Sequence, residues 1–187
     1  MRLKSTNSIV HGSQRVSEIL EAHERFFSGK DGGVRADLTG ANLSGADLSK
    51  ANFSGAVLSG ANLEGADLRR AKLTHADLSG ANLRKADIRN TDLTEANLTG
   101  ANLEEAQASG VEFFRCDLSH TNFRRALLRN ANFRQANVNG AKFAGADMGV
   151  TILRETDLTG ADLSGVDLTT TLMPRNYAVN KADGKSA

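Results

Sequence analysis

Few side chains in this sequence have a type and spacing that would suit catalysis or metal binding. The single cysteine, Cys116, rules out an internal disulfide, and Gly29-Lys30 lacks the GxxxxGK(S/T) frame of a phosphate-binding loop. The histidines do not recur at the short spacings of metal ligands: His11, His23, His75 and His120. We therefore predict that the protein is not an enzyme and that it binds no metal, cofactor or small-molecule substrate.

The composition fits one domain with short extensions, because the chain has 187 residues. Aromatic residues make up only 5%, so Leu and Ala must fill most of the interior. No stretch approaches the roughly 18 apolar residues of a membrane span, and the start of the chain has no apolar run typical of a signal peptide. We expect a cytoplasmic protein without membrane association, and its net charge of +1 argues neither for nor against nucleic acid.

A five-residue repeat runs without insertion or deletion from residue 36 to residue 175, in 28 quintets that begin ADLTG, ANLSG, ADLSK, ANFSG. Position 1 is Ala in 20 quintets, position 3 is Leu in 18 and Phe in five, and position 5 is Gly in twelve. A period of five fits neither an α-helix nor a flat strand, so the chain must turn in every quintet. The apolar positions 1 and 3 predict one small and one large inward side chain per quintet.

The repeated pattern A-(D/N)-L-x-x resembles the signature of the pentapeptide-repeat family and covers about three quarters of the chain. The resemblance implies an all-β fold, a right-handed quadrilateral parallel β-helix in which four quintets form one square coil around the position 3 residues. For this chain it implies about seven coils in a stack roughly 30 Å long. Residues 20 apart should then lie on one of four faces, which we number from the quintets beginning at residues 36, 41, 46 and 51.

The sequence is also patterned at this 20-residue spacing. On face two, position 2 is Asn in five successive coils, and we expect these amides to bond along the column: Asn42, Asn62, Asn82, Asn102 and Asn122. Positions 4 and 5 of face two alternate in charge: Glu64, Arg84, Glu104 and Arg124, beside Lys85, Glu105 and Arg125. We interpret face two as a solvated surface without like-charge stacking, and face one, with its small uncharged residues, as flat.

Face three has cations and no acid at positions 4 and 5. We take these cations as candidate partner-binding residues: Lys50, Arg69, Arg70, Arg89 and Arg129. Acids occupy position 2 of the same face at Asp47, Asp67 and Asp87. Two interpretations stay open, because the cations either form a basic strip that binds a partner or are neutralised locally by these aspartates.

The core is predicted to be weakest at Ala108, which replaces the central Leu of its quintet. Losing a buried Leu side chain typically costs about 2–5 kcal/mol. Nearby, Phe114 takes the outward position 4 and Leu127 the outward position 2. These two apolar side chains either anchor a partner or fold over the gap at Ala108, and we include both among the candidate partner-binding residues.

The segments outside the repeat should close the solenoid, because its end coils expose their core. We predict a disordered N-terminus over 1–12, a helical cap over 13–35, the solenoid over 36–175 and a C-terminal tail over 176–187. Ser13 is the expected N-cap and Gly29 the expected stop of a helix over 14–27. One stripe of this helix is apolar and includes a histidine that we interpret as packed rather than ligating: Val16, Ile19, Leu20, His23, Phe26 and Phe27.

The segments at the two ends of the solenoid are expected to cover its core. The N-terminal helix either covers the first coil or serves as an arm that binds a partner. At the other end, four residues are expected to close the last coil: Leu172, Met173, Pro174 and Tyr177.

A filled rod without a pocket acts by presenting surface, so we predict a scaffold or regulator that binds a protein partner in the bacterial cytoplasm. Homodimerisation is left open. The alternative is a DNA mimic that modulates a type II topoisomerase such as gyrase, as the resemblance to quinolone-resistance proteins implies. Residues 36–175 carry 15 Lys and Arg against 17 Asp and Glu, whereas 30 Å of duplex carries roughly 18 negative charges. We therefore rank mimicry second, and we do not expect direct nucleic-acid binding, since aromatic stacking platforms are missing.

Overall fold

The computed structural model describes residues 3–175, and from residue 36 onward each quintet forms a short extended segment followed by a turn. The turn is closed by the N–H of position 1, which donates to the position 3 carbonyl of the preceding quintet, as from Ala41 to Leu38 at 3.0 Å. Other backbone bonds run between coils, as from the Leu43 N–H to the Asn62 carbonyl at 2.7 Å. The backbone is therefore tied both along the chain and along the stack.

Parallel β-bridges join residues 20 apart along the stack, from Asp37–Val57 at one end to Ile152–Leu172 at the other. The predicted Asn column on face two is bridged residue by residue, from Asn42 through Asn122, which confirms the 20-residue register. Its amides also bond along the column, with the Asn82 Nδ2 donating to the Asn62 Oδ1 at 3.2 Å. Each bridge is a single residue pair, because the chain turns again before a longer strand can form.

The position 4 N–H has a partner that the sequence interpretation missed. In most quintets it donates to the Oδ1 of the Asp or Asn at position 2, as from Thr39 to Asp37 at 3.0 Å and from Thr99 to Asn97 at 3.0 Å. Such an Asx turn occupies a backbone donor that has no carbonyl opposite it. Asp and Asn are therefore preferred at position 2 for two reasons: they accept the position 4 N–H of their own quintet, and the Asn amides bond along the column.

Position 5 adopts the left-handed conformation in every quintet from residue 40 to residue 165, with φ between 55° and 77°. Glycine supplies this conformation without a penalty, but 14 of these positions carry another residue, among them Lys50, Arg70 and Val150. A left-handed L-residue costs roughly 1–2 kcal/mol. Each non-glycine residue at position 5 thus lowers the stability of the solenoid relative to glycine.

The interior is filled by the buried residues of positions 1 and 3, and its second half holds a column of aromatic rings. Phe113 stacks on Phe133 with 4.7 Å between ring centroids, and Phe123 stacks on Phe143 at 5.0 Å, in keeping with a coil of 20 residues. Edge-to-face contacts join the two pairs. Ala108 is fully buried, and this column begins in the next quintet, so bulky side chains follow where the central Leu is missing.

The N-terminal elements are a 3₁₀ turn (Thr6–Ser8), strand β1 (Val10–His11), strand β2 (Gln14–Arg15) and helix α1 (Val16–Phe27). Strands β1 and β2 pair antiparallel. The helix begins later than predicted, with Arg15 rather than Ser13 as N-cap, because the hairpin holds the preceding residues in extended backbone. Gly29 follows the helix with a φ of 62°, as expected of a stop.

The helix contacts the solenoid through only part of its predicted apolar stripe. Val16 and Ile19 are buried in the same cluster as the solenoid core, and Leu20 packs partly against it. His23 is fully buried, and its Nδ1 accepts the Ala36 N–H at 3.1 Å, in keeping with a packed histidine. Phe26 and Phe27, at the end of the helix, are 47% and 50% exposed and pack against the His23 ring rather than inside the core cluster.

The segment predicted to be a disordered N-terminus is placed against the first coil over its described part, residues 3–12. The Lys4 N–H donates to the Gly45 carbonyl at 2.8 Å, and the Lys4 carbonyl accepts the Asp47 N–H at 2.8 Å. The first coil has no preceding coil to accept the Asp47 N–H, and Lys4 occupies that place. The predicted tail over 176–187, including Tyr177, lies outside the described residues. No helix within residues 3–175 is long and apolar enough to cross a membrane.

Candidate partner surface on face three

Four of the five predicted cations of face three lie together near the N-terminal end of the solenoid. Three successive coils contribute to a shallow depression of about 450 Å³, lined by Ser49, Lys50, Arg69, Arg70, Arg89 and Asn90. We call this surface the basic depression. The 20-residue repeat creates it, because positions 4 and 5 of successive coils stand above one another.

Two of its arginines are paired with the aspartates of their own quintets. Arg69 donates from Nε and Nη2 to Asp67, the latter at 2.5 Å, and Arg89 donates from the same two nitrogens to Asp87 at 2.8 and 2.6 Å. The hydrogen bonds from Arg69 hold the pKa of Asp67 below its ordinary value, and donating to Asp67 and Asp87 raises the pKa of the Arg69 and Arg89 guanidinium groups. Local neutralisation therefore holds for this pair of arginines.

The other two cations of the depression are not neutralised in this way. Lys50 and Arg70 stack at position 5 with φ of 62° and 59°, and both residues are exposed. Within residues 3–175 neither has an acidic group at ion-pair distance. Successive coils are about 4.8 Å apart, so two like charges lie one above the other. Local neutralisation thus describes Arg69 and Arg89, whereas the interpretation as a basic strip stays open for Lys50 and Arg70.

The position 5 columns of faces two and four alternate cations with acids. On face two, Glu105 contacts Lys85 at 3.6 Å and Arg125 at 3.0 Å, which confirms the predicted alternation. The hydrogen bond from Arg125 lowers the pKa of Glu105. Position 5 is again the site of this pairing, so the left-handed backbone is used there to place opposite charges in contact.

Face four carries a second polar column at position 5 that the sequence analysis did not identify. Glu95 lies between His75 at 3.2 Å and Arg115 at 3.4 Å. Arg115 also donates to Gln135 at 2.8 Å, and Gln135 donates to Glu155 at 2.7 Å. Aligning position 5 of this face at the 20-residue spacing would have shown the pattern. Among the position 5 columns, face three therefore differs in stacking two cations, Lys50 and Arg70, without an acid between them.

The remaining predicted site residues lie outside the basic depression. Arg129 is two coils farther along face three and contacts Asp147 at 3.3 Å. Leu127 lies on the same face and is 47% exposed, so it does not fold over the core. Phe114 is half-buried on face four, where the Arg115 guanidinium lies 4.9 Å from its ring centroid. The structure thus brings four of the seven predicted residues together and leaves Leu127 and Arg129 farther along their face.

A larger concavity occurs where the solenoid ends, which differs from the expectation of a rod without pockets. It measures about 1400 Å³ and is bordered by the last described quintets and by Met173, Pro174 and Arg175. Its two acids, Glu155 and Asp157, have pKa values lowered by hydrogen bonds from Gln135 and Thr159, so they remain ionised near neutral pH. Among the described residues no cluster of His, Cys, Asp and Glu suits a metal ion.

Cys116 lies inside the tube. It is 1% exposed, and its thiol donates to the Leu93 carbonyl. Burial raises its pKa to about 12, so the thiolate needed for nucleophilic attack does not form near neutral pH.

Comparison with known proteins identifies the repeat. The sequence matches family models described as pentapeptide repeats, with eight copies over residues 36–74, and as a pentapeptide repeat region over residues 93–168. A search of curated protein sequences gives no match.

Several solved structures are similar to this chain. A trypsin-treated variant of QnrB1, a plasmid-mediated fluoroquinolone resistance protein, is 23% identical with a TM-score of 0.42, over 74% of this chain and 70% of that one. The pentapeptide repeat protein alr5209 from Nostoc Pcc 7120 is 26% identical with a TM-score of 0.38, over 84% and 86%. Rfr23 from the cyanobacterium Cyanothece 51142 is 32% identical with a TM-score of 0.36, over 71% of each chain.

Pentapeptide-repeat proteins form right-handed quadrilateral β-helices and are generally non-enzymatic structural or interaction proteins. Both family matches fall within the quintets that are bridged at the 20-residue spacing. The chain belongs to the pentapeptide-repeat family.

Proposed function

We propose that this protein is a non-enzymatic scaffold or regulator of the cytoplasm that binds a protein partner through face three. The observation that carries the proposal is the contrast between its charged columns. At position 5, cations and acids are paired along faces two and four, whereas Lys50 and Arg70 on face three are stacked without an acid. A surface that departs from the rule of its own repeat is the best candidate for recognition.

We also propose that residues 36–175 form a rigid unit of about seven coils and that residues 13–35 serve as its N-terminal cap. This is supported by the burial of Val16 and Ile19 in the solenoid cluster and by the hydrogen bond from Ala36 to His23. A rigid rod suits a scaffold, because the spacing between its binding groups does not change when a partner docks.

Modulation of gyrase by DNA mimicry is the alternative, and the charge of the surface argues against it. Acids and bases nearly balance over residues 36–175, with 17 against 15, and many are paired. A supercoiling assay with purified gyrase separates the two proposals. Little inhibition and little protection from quinolones at micromolar protein is expected of a scaffold, whereas strong effects below micromolar concentration would favour mimicry.

Affinity capture tests the proposed function directly. The immobilised full-length chain is incubated with an extract of its source cells, and bound proteins are quantified by mass spectrometry. A variant with Lys50→Asn and Arg70→Asn is compared with one carrying Lys85→Asn and Arg125→Asn on face two. We expect a defined set of proteins that the face three variant loses and the face two variant keeps. Equal capture by all three chains, or no capture, would contradict the proposal.

A further inference from the structure

We propose that the basic depression binds the carboxylate groups of an acidic segment in the protein partner. This inference rests on the proposed function and names the chemistry that the partner must offer. Lys50 and Arg70 are the primary contacts, and the free nitrogens of Arg69 and Arg89 complete the site.

The backbone at Lys50 and Arg70 indicates that these two cations serve recognition, because glycine would take the same conformation without strain. Both residues take the left-handed conformation at a position that is Gly in twelve quintets. Their backbones are one coil apart, about 4.8 Å, so the two cations are neighbours in one column with no acid between them. On face two the same conformation places Glu105 between Lys85 and Arg125, so strain there accompanies attraction. A bound anion between Lys50 and Arg70 would supply the attraction that this stack lacks.

The paired arginines contribute donors held in fixed positions. A guanidinium has five N–H groups, and Arg69 and Arg89 direct those of Nε and Nη2 toward Asp67 and Asp87. In the described part of the chain no hydrogen-bond acceptor is found for the Nη1 of either arginine. The aspartates thus act as anchors that orient each guanidinium, and its remaining nitrogens can bind a second carboxylate.

The local charge favours carboxylates over a nucleic acid. The depression has four cations, and the same three coils carry Asp47, Asp67 and Asp87 at position 2, so an excess of about one positive charge remains. One carboxylate between Lys50 and Arg70 neutralises this excess. Duplex DNA presents one charge per 1.7 Å and would also bring phosphates against the neighbouring acids. An acidic peptide segment is therefore the occupant that fits the site.

The surface beyond the depression suggests the register of the segment. Gln107, Ser109 and Gly110 separate it from Leu127, which lies three coils beyond Arg70, or about 14 Å. An extended peptide covers that distance in about four residues. The segment that fits face three is thus acidic, with an apolar residue about four positions from its acidic group.

The experiment uses full-length protein and a fluorescein-labelled hexaglutamate peptide, with binding followed by anisotropy at low salt. Lys50→Asn with Arg70→Asn removes the proposed contacts, and Asn is among the residues that best accept a positive φ. Lys85→Asn with Arg125→Asn removes the same charge from the same backbone conformation on face two. We expect the first variant to bind at least about tenfold more weakly than the native chain and the second to bind nearly as well.

Equal weakening by both variants would show a general charge effect and overturn the inference, as would no binding of hexaglutamate. A labelled duplex of about 20 base pairs is tested in parallel. Tighter binding of the duplex than of the peptide at the same salt would assign the surface to nucleic acid instead. If the peptide test fails while capture still depends on face three, the carboxylate assignment alone is wrong. If the peptide binds but no protein is captured, the proposed function is wrong.

Discussion

The Thr121 hydroxyl donates a hydrogen bond to the carbonyl oxygen of Leu98, 23 residues earlier in the chain, with 2.8 Å between the two oxygens. The same bond to the residue 23 positions earlier recurs at the other buried polar residues of position 1: Thr91, Cys116, Thr151, Thr156 and Thr171. The small inward side chain of the repeat thus has two forms. Ala fills space, while Thr or Cys also ties one coil to the one before it.

Exchanging Thr and Val at position 1 tests this bond. Thr121→Val keeps the shape of the side chain and removes the donor, so the free energy of unfolding should fall by about 1 kcal/mol. Val111 is fully buried at an equivalent position, where Thr would reach the Ile88 carbonyl. Val111→Thr should therefore be nearly neutral, although a hydroxyl in an apolar core usually destabilises. Urea denaturation measures both variants, and a loss above about 2 kcal/mol for Val111→Thr would contradict the proposed geometry.

Relief of backbone strain should stabilise the solenoid at Val150. This β-branched residue has a φ of 59° and is 45% exposed, so it gives up little burial if it is replaced. Val150→Gly should raise the free energy of unfolding by about 1 kcal/mol. Asn130→Gly is the matched control, because Asn accepts a φ of 57° more readily and should change little. Equal effects of the two variants in thermal denaturation would count against strain as the cause.

Leu127 offers a test that separates stability from recognition. A residue with an amide at this position would accept the Arg129 N–H, as Asp87 accepts that of Arg89 at 3.3 Å. Leu127→Asn should therefore raise stability by about 0.5–1 kcal/mol and remove an exposed apolar side chain. We expect the same variant to capture less of the partner. A variant that is more stable and binds equally well would exclude Leu127 from the interface.

The contact between helix α1 and the first coil should depend on pH through His23. Burial lowers the pKa of His23, with the backbone of Ser54 and the charge of Glu24 acting in the opposite direction and that of Arg35 in the same one. The native state thus favours the neutral ring, whose Nδ1 accepts the Ala36 N–H. The unfolded chain takes up this proton first, so the stabilisation is present above about pH 6.5 and is lost as the pH falls through the lower native pKa.

Thermal melts at about pH 7.5 and about pH 5.5 measure this effect. The native chain should lose more stability between them than a His23→Gln variant, which should be less stable at neutral pH and less sensitive to acid. The other histidines are present in both chains, so the difference isolates His23. Identical pH dependence would mean that the helix does not cap the coil through this residue.

The sequence was sufficient for the regular part of the fold because its period is visible in the residues themselves. Asn42 and Asn62 could be placed in one column, and Phe113 above Phe133, from the five-residue repeat and the four-quintet coil. The Asx turns follow from Asp or Asn two positions before the donor, a local signal that was available but not used. The pairing of His75 with Glu95 was available in the same way.

Contacts outside the repeat could not be derived in this manner. The bridge of Lys4 to Ala46 depends on which segment reaches the free edge of the first coil, and no periodicity encodes it. The start of helix α1 depends on the hairpin before it, which overrode the capping preference of Ser13. The division of face three into paired arginines and an unpaired Lys50–Arg70 stack required side-chain positions, since both kinds of cation look alike in the sequence.

Site-specific photocrosslinking in the source cell tests most directly that face three is the partner surface. Four position 5 residues with φ of 57–59° lie one on each face, so one photoreactive amino acid can be placed in the same backbone conformation at each: His120 on face one, Glu105 on face two, Asn90 on face three and Gln135 on face four. We predict a crosslink to protein from the Asn90 position and none from the other three. Crosslinks from every face, from a face other than face three alone, or to nucleic acid would contradict the account.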